Sequence, residues 1–342
     1  SPYIPGTEAD LDIQFIAAIN NAPTNWFWLE PNPGWLYSYA THFAAATTVP
    51  SIASISYGWA EDAQCAVGTQ ECKSLKVDSQ GYVNRVNVEF QKIGVRGVSL
   101  LAASGDSGAN GRQDEFCTAK YLQPDYPAAS PYLTSVGATM VRELELSGVL
   151  DLAVAVHQCW VVGDEVAVSY QAAGFTSGGG FSIYASQPSY QTAAVEAYLS
   201  SNVTLPPRSY YNATGRGYPD VAAFGDNCLG LCNTPRCWTH AALDVVFAGV
   251  LQPVGGTSCS SPSFAAIVGL LNMVSLSEDE YGQPLGFINP LLYQMSAECT
   301  DCFTDITVGD NKCTESGCAK SCQGFYCAQG WDPVTGLGSP NV

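Results

Sequence analysis

Residues 81–108 read GYVNRVNVEFQKIGVRGVSLLAASGDSG, and this stretch decides the fold. Gly81 to about Lys92 reads as a helix, and Val98 to Ala103 is a buried-strand pattern that ends in Ser104-Gly105-Asp106. Just upstream, Ser51 to Tyr57 is an apolar, β-leaning run that stops at Gly58. Strand, helix, strand in that order predicts an α/β fold with a parallel sheet and crossover helices. Working outward, Glu8 to Asn21 is expected to be helical, with Leu11, Ile13, Phe15, Ile16 and Ile19 apolar and Pro5-Gly6 just ahead. Further strands are expected over Ser130 to Val141 and around Val245 to Val250. Gly255-Gly256-Thr257-Ser258 then leads into an apolar helix from about Ser260 to Ser275. No internal repeat is visible, and Asn227 to Trp238 reads as a disulfide-tied insertion.

The chain has 342 residues, enough for two domains or one large α/β domain with its own core. A hydrophobic share of 46% against 13% charged marks a globular protein. Thirteen Lys and Arg against 31 Asp and Glu give a net charge of −18, which argues against nucleic acid or an anionic membrane as partner. No uninterrupted apolar run is long enough to span a bilayer, and Ser263 to Val274 suits a buried helix, so no membrane span is expected. At about pH 4 to 5 many carboxylates become protonated and the self-repulsion falls, which fits work in an acidic compartment.

Of fourteen cysteines, many sit close together: Cys65 and Cys72; Cys228, Cys232 and Cys237; Cys299 and Cys302; then Cys313, Cys318, Cys322 and Cys327. Zinc would need regular spacing and nearby histidines, but the spacings are irregular and His42, His157 and His240 are scattered. Disulfides formed in an oxidising compartment are the better reading. The sequons at Asn202 and Asn212 agree with passage through a secretory pathway. The first residues carry no signal-peptide pattern, so the chain is expected to begin after processing.

Three places could carry chemistry. In Gly256-Thr257-Ser258-Cys259-Ser260-Ser261-Pro262 the glycine lets the backbone approach a ligand, and a serine at a helix start meets stabilising amides. That serine is equally readable as a helix N-cap. No histidine lies in a catalytic-looking context, so a Ser-His-Asp triad is not supported. Glu8 and Asp12, four apart, share one helix face and should titrate as a pair; a solvated acidic first turn is the plainer reading of the pair alone. Asp106, flanked by glycine at a strand's carboxyl end, stands where α/β sites usually lie, or forms an Asx turn.

Taken together and in order, Glu8-Ala9-Asp10-Leu11-Asp12, Ser104-Gly105-Asp106-Ser107-Gly108 and Gly256-Thr257-Ser258 resemble the sedolisins, the serine-carboxyl peptidases. Ser130 to Gly137, Gly215 to Ala222 and Gly330 to Gly336 strengthen the resemblance. Asn212-Ala213-Thr214 and Pro284 to Pro290 look most like the lysosomal tripeptidyl-peptidase branch. The resemblance runs from Glu8 to Asn341. It implies one subtilisin-like catalytic domain over residues 1–342, a mostly parallel sheet with helices on both faces. Ser258 would be the nucleophile, Glu8 the base, Asp12 its support and Asp106 the oxyanion-site acid. Asp106 can donate to an oxyanion only while protonated, whereas Glu8 must be deprotonated, so activity is expected in a weakly acidic window.

The resemblance also implies a Ca²⁺ site within residues 300–338, with carboxylates from Asp305 and Asp332 and carbonyls from Ile306, Ala328 and Gly330. Relatives often have glycine where Ala328 stands. Ser56-Tyr57-Gly58 and Ser177-Gly178-Gly179-Gly180 would line the substrate cleft, the glycines admitting a peptide backbone paired as an added strand; a flexible loop is the alternative. Family members begin their catalytic domain upstream of the Glu-x-x-x-Asp helix and continue past Ser339-Pro340-Asn341. Two expectations follow: this sequence omits such a segment, or the mature enzyme is cut and its cleaved N-terminal fragment stays as a partner. The expected activity is release of tripeptides from free N-termini of peptide or protein substrates, in a lysosome-like compartment or secreted. The alternatives are an acid endopeptidase of the family and a non-catalytic glycoprotein that kept the fold. The paired Asp-Thr-Gly or Asp-Ser-Gly motifs of pepsin-type enzymes are absent.

Overall fold

The computed structural model describes residues 6–31, 33–143, 163–226, 243–277 and 282–341. Four strands form a parallel core in the order Ile52–Ile55, Ser99–Ala103, Thr134–Glu143, Val221–Phe224. A fifth, Gly163–Ala167, pairs antiparallel with the far end of Thr134–Glu143. Alternation along the second strand places helices on both faces. Leu100 and Ala102 join Val83, Val86 and Phe90 of the Ser79–Val95 helix on one side. Leu101 joins Phe264 and Val268 of the Thr257–Ser277 helix on the other. Asp78 caps the first of these helices, its carboxylate accepting from Gly81 N.

Most expected elements are present. The first helix spans Thr7–Ile19, and the expected strand over Ser130 to Val141 begins at Thr134. Around Val245 to Val250 the structure differs from the expected strand. The chain reverses at Ala248 and Gly249, both at positive φ (50° and 81°), so Leu243–Phe247 and Val250–Val254 form a hairpin. The apolar helix is also longer than expected. At 21 residues, Thr257–Ser277 is long and apolar enough to cross a bilayer by length and composition, yet most of it is buried inside the protein. It packs against four strands of the sheet, as the core helix of an α/β fold does.

The Gly215 to Ala222 motif has a packing reason. Arg216 and Asp220 are both fully buried and paired at 2.5 Å, and Arg216 also holds the carbonyl of Ser130. Among the described residues the disulfides are Cys65–Cys72, Cys117–Cys322, Cys299–Cys302 and Cys313–Cys318. Three join near neighbours within the clusters seen in the sequence, while Cys117–Cys322 closes 205 residues. The Asn227 to Trp238 insertion, with its three cysteines, lies outside the described residues, as do His157 and His240.

Candidate active site

Two strands of the parallel core end at the site. Ser104-Gly105-Asp106 follows Ser99–Ala103, and Ser56 follows Ile52–Ile55, so both stand at carboxyl ends where α/β folds gather ligands. A third strand, Val221–Phe224, ends at Gly225, whose carbonyl accepts from Gly256 N at 2.9 Å and anchors the loop before Ser258. Gly256 sits at φ +149°, and a Cβ there would lie 3.3 Å from Asp106 Oδ2, so glycine keeps the space beside that carboxyl open.

The Thr257–Ser277 helix begins one residue before Ser258, so Ser258 lies inside the first turn and is not an N-cap. The acceptor at this helix start is Asp106. Its Oδ1 takes the Thr257 N–H at 2.8 Å and the Thr257 hydroxyl at 2.9 Å. Thr257 Oγ1 in turn accepts from Gly105 N at 3.1 Å. Asp106 is thus more than an Asx-turn residue: it ties the strand end to the helix start.

The first helix lies against this junction. Leu11 packs with Cys259 and Val245, and Gln14 bonds both the N–H and the carbonyl of Val246, fixing the helix on the hairpin. Glu8 and Asp12 flank Leu11 and are drawn inside rather than solvated. Glu8 Oε1 is buried with no hydrogen-bond partner, and Asp12 accepts from Ser56 Oγ at 2.6 Å. Burial raises the Glu8 pKa; the neighbouring Ser258 hydroxyl opposes that, Asp106 adds to it and Arg112 lowers it. Burial pushes Asp12 up to about 7, opposed by Ser56 and reinforced by the Glu8 charge. The two acids therefore do not both ionise easily, and Asp12 is the one that keeps its proton across weakly acidic pH. Burial likewise raises Asp106, against the two hydrogen bonds from Thr257.

The segments read as cleft walls adjoin these acids. Tyr57 is 58% exposed beside Glu8 and Asp12. Gly178 N donates to Gly105 O at 2.6 Å, which sets Ser177 to Gly180 against the Asp106 loop. The glycines also have a packing cause. A Cβ on Gly178 would lie 2.1 Å from Ser104 O, and one on Gly179 2.1 Å from Pro333 O, so it is the protein's own backbone that comes close. Gly58 likewise faces Tyr126 O. Ser177 is buried and its Oγ accepts from Ala138 N.

In the tail, Asp305 Oδ2 accepts from Gly330 N at 2.9 Å and Asp332 Oδ2 from Ala328 N at 3.0 Å. Asp332 Oδ1 takes Val334 N and Thr335 N, both at 2.9 Å. Both carboxyls thus meet the 328–330 turn, with Ile306 buried beside Asp305. Burial raises both, Asp332 to about 7. Among the described residues no three His, Cys, Asp or Glu side chains cluster as a metal site, so a cation here would need the backbone carbonyls. Of the sequons, Asn202 is exposed, whereas the Asn212 amide donates to Ser182 O at 3.2 Å and its Oδ1 accepts from Thr214 Oγ1 at 2.9 Å.

Two contributors were not singled out from the sequence. Thr257, which fixes Asp106, was visible only as part of the Gly-Thr-Ser motif. Cys117–Cys322 ties the loop after Asp106 to the tail, and Asn110 Nδ2 reinforces it by donating to Lys312 O and Gln323 O, both at 2.8 Å.

Models of known protein families give no match to this chain. Physarolisin of Physarum polycephalum is 43% identical over 340 residues, which cover 98% of this chain and 55% of physarolisin. Tripeptidyl-peptidase 1 of Homo sapiens is 35% identical over 357 residues, covering 98% of this chain and 50% of that protein. The chain spans about half the length of the curated relatives it matches. Among solved structures, a Pseudomonas sedolisin, a serine-carboxyl proteinase complexed with two molecules of pseudo-iodotyrostatin, aligns with a TM-score of 0.66 at 20% identity over 98% of this chain and 76% of that one. That likeness speaks for the fold, and over nearly its whole length the chain is similar in sequence to physarolisin and to tripeptidyl-peptidase 1.

Proposed function

We propose that the chain is the catalytic part of an acid-active serine-carboxyl peptidase that releases tripeptides from free N-termini. The observation that carries the chemistry is the meeting of Glu8, Ser258 and Asp106 at one helix start. Ser258 Oγ attacks the scissile carbonyl carbon while Glu8 takes its proton, and the carbonyl oxygen becomes an oxyanion. Asp106, protonated on Oδ2 because Oδ1 already accepts twice from Thr257, donates to that oxyanion. Glu8 then returns the proton to the departing amine, leaving an acyl-serine that water hydrolyses by the same steps. Asp12 keeps its own proton and so leaves the ionised role to Glu8. The tripeptide product is supported by the likeness to tripeptidyl-peptidase 1.

Ser56 to Gly58 and Ser177 to Gly180 serve as the walls of the cleft, through the Tyr57 ring and backbone groups. Asp305 and Asp332, with the carbonyls of Ile306, Ala328 and Gly330, fit an oxygen-only site for Ca²⁺, which when bound would neutralise two carboxylates and brace the tail. Four disulfides among the described residues favour an oxidising compartment, lysosome-like or secreted. A glycan is accommodated at exposed Asn202 more readily than at Asn212, whose amide is engaged.

The test is cleavage of a free-amine tripeptide amide and its N-blocked twin by full-length protein, from pH 3 to 7.5, beside Ser258→Ala. Activity on the free-amine substrate alone, confined to acid and lost in the variant, is expected. Equal cleavage of long blocked peptides would make it an endopeptidase; silence of the folded, calcium-supplied protein would favour a scaffold that kept the fold.

A further inference from the structure

Glu61 is 1% exposed and has no part in the chemistry above. It stands three residues beyond Gly58 and reaches across to the Gly180–Ser186 strand. Ser182 Oγ donates to Glu61 Oε1 and Ile183 N to Oε2, each at 2.7 Å. Those partners sit at an irregularity in the fold. Gly180–Ser186 pairs with Gly215–Tyr218 as Gly180↔Tyr218 and Phe181↔Gly217, then jumps to Ser186↔Gly215. Residues 182–185 therefore leave the ladder, and their N–H groups need other acceptors. Glu61 takes Ile183 N, while Ser182 Oγ accepts from Tyr184 N at 3.2 Å and Ala185 N at 2.8 Å. On its own side Glu61 is held by its N–H to Pro124 O at 2.9 Å, beside the Ala60↔Asp125 pairing.

One buried carboxyl thus joins the segment after Ser56-Tyr57-Gly58 to the strand that continues Ser177-Gly178-Gly179. We propose that Glu61 is a positioning residue that sets the separation of the two cleft walls and thereby the binding of a peptide backbone between them. The proposal rests on the cleft reading given under the proposed function. A side chain acting this way changes substrate binding and leaves the reacting groups alone, so its loss belongs in KM rather than kcat.

The experiment compares wild type, Glu61→Ala, Glu61→Gln and Ser182→Ala in the full-length protein. Turnover of a free-amine tripeptide amide is measured, and separately the Kd of a hexapeptide for the same variants in the Ser258→Ala background. Glu61→Ala is expected to raise KM and Kd about 10-fold, the cost of stranding buried donors, with kcat within about 3-fold of wild type. Glu61→Gln, which still accepts from Ile183 N, should stay within about 3-fold of wild type in both. Where Glu61→Ala does not fold, Ser182→Ala carries the test with a smaller rise in KM of about 3-fold. Normal turnover with KM and Kd indifferent to these changes, or a loss in kcat alone, overturns the clamp and leaves the peptidase standing. Peptide binding that weakens in Glu61→Ala without any wild-type turnover keeps the clamp and sinks the peptidase. Neither binding nor turnover would overturn both.

Discussion

At Asp106 the two carboxyl oxygens stand in different surroundings: Oδ1 accepts the Thr257 N–H and hydroxyl, which leaves Oδ2 to carry a proton. Burial raises its pKa, so the donor form persists through weak acid and is lost as the pH climbs. Asp106→Asn puts an amide donor there at every pH. The alkaline limb of kcat/KM should then move up by about one pH unit or more, with kcat at acid pH lower by roughly 10-fold, as a pH profile would read. Asp106→Ala removes the donor and should cost about 10²–10³ in kcat at all pH values. An alkaline limb unchanged in Asp106→Asn would assign it to another group. The Glu8–Asp12 spacing was legible in the sequence because i and i+4 share a helix face. Whether that face was wet was not legible, since burial of Glu8 depends on the hairpin and helix that Leu11 and Gln14 dock against, more than 200 residues away.

Among the elements, strands and helices with a clear period were readable, and the misses have local causes. The hairpin at Ala248-Gly249 was hidden because both arms are apolar and alanine at positive φ sends no turn signal. Gly178 and Gly179 announced close approach correctly, but not that Ser104 and Pro333 were the partners. Cysteine spacing put Cys65 near Cys72 without pairing them and carried no hint of Cys117–Cys322, because long-range pairing is a property of the fold. That bond, with Asn110, holds the loop that leaves Asp106. In the chain-entropy view it contributes about 5 kcal/mol against about 2 for the short Cys65–Cys72 loop. Replacing both Cys117 and Cys322 by Ser should therefore lower Tm more than the same change at Cys65 and Cys72. It should also lower kcat at acid pH, while the Cys65/Cys72 variant keeps wild-type kcat. Calorimetry and steady-state kinetics on both double variants check this; equal kcat in the two would detach the disulfide from the oxyanion loop.

The molecule as a whole is arranged for acid. Besides its net charge of −18, burial pushes Asp12, Glu61 and Asp125 up to about 7 from ordinary values of 3.8 to 4.5. Their folded-state pKa values exceed the unfolded ones, so folding favours the protonated forms. That stability is fully present below about pH 4 and is lost as the pH rises through about 7. Each such group contributes about 1.4 kcal/mol for every pH unit over which its ionisation is held back, before any relaxation of the site. Tm should accordingly fall by roughly 5 °C or more between pH 4.5 and 7.5. A thermal scan across that range checks it, and a Tm that rises toward neutrality would contradict the burial of these carboxyls in the native state. The composition carried this preference openly in its excess of acids, whereas the particular acids that hold protons became visible only once the fold had buried them.

The central claim is that Ser258 is the nucleophile of an acid-active peptidase, and trapping the acyl-enzyme tests it most directly. Full-length protein is mixed with a free-amine tripeptide ester at pH 4, quenched in acid within the first turnover and digested for peptide mapping by mass spectrometry. The account predicts the added mass of the tripeptide acyl group on Ser258, and none in Ser258→Ala. Turnover at pH 4 with the acyl group on another residue, or with undiminished rate in Ser258→Ala, would contradict it.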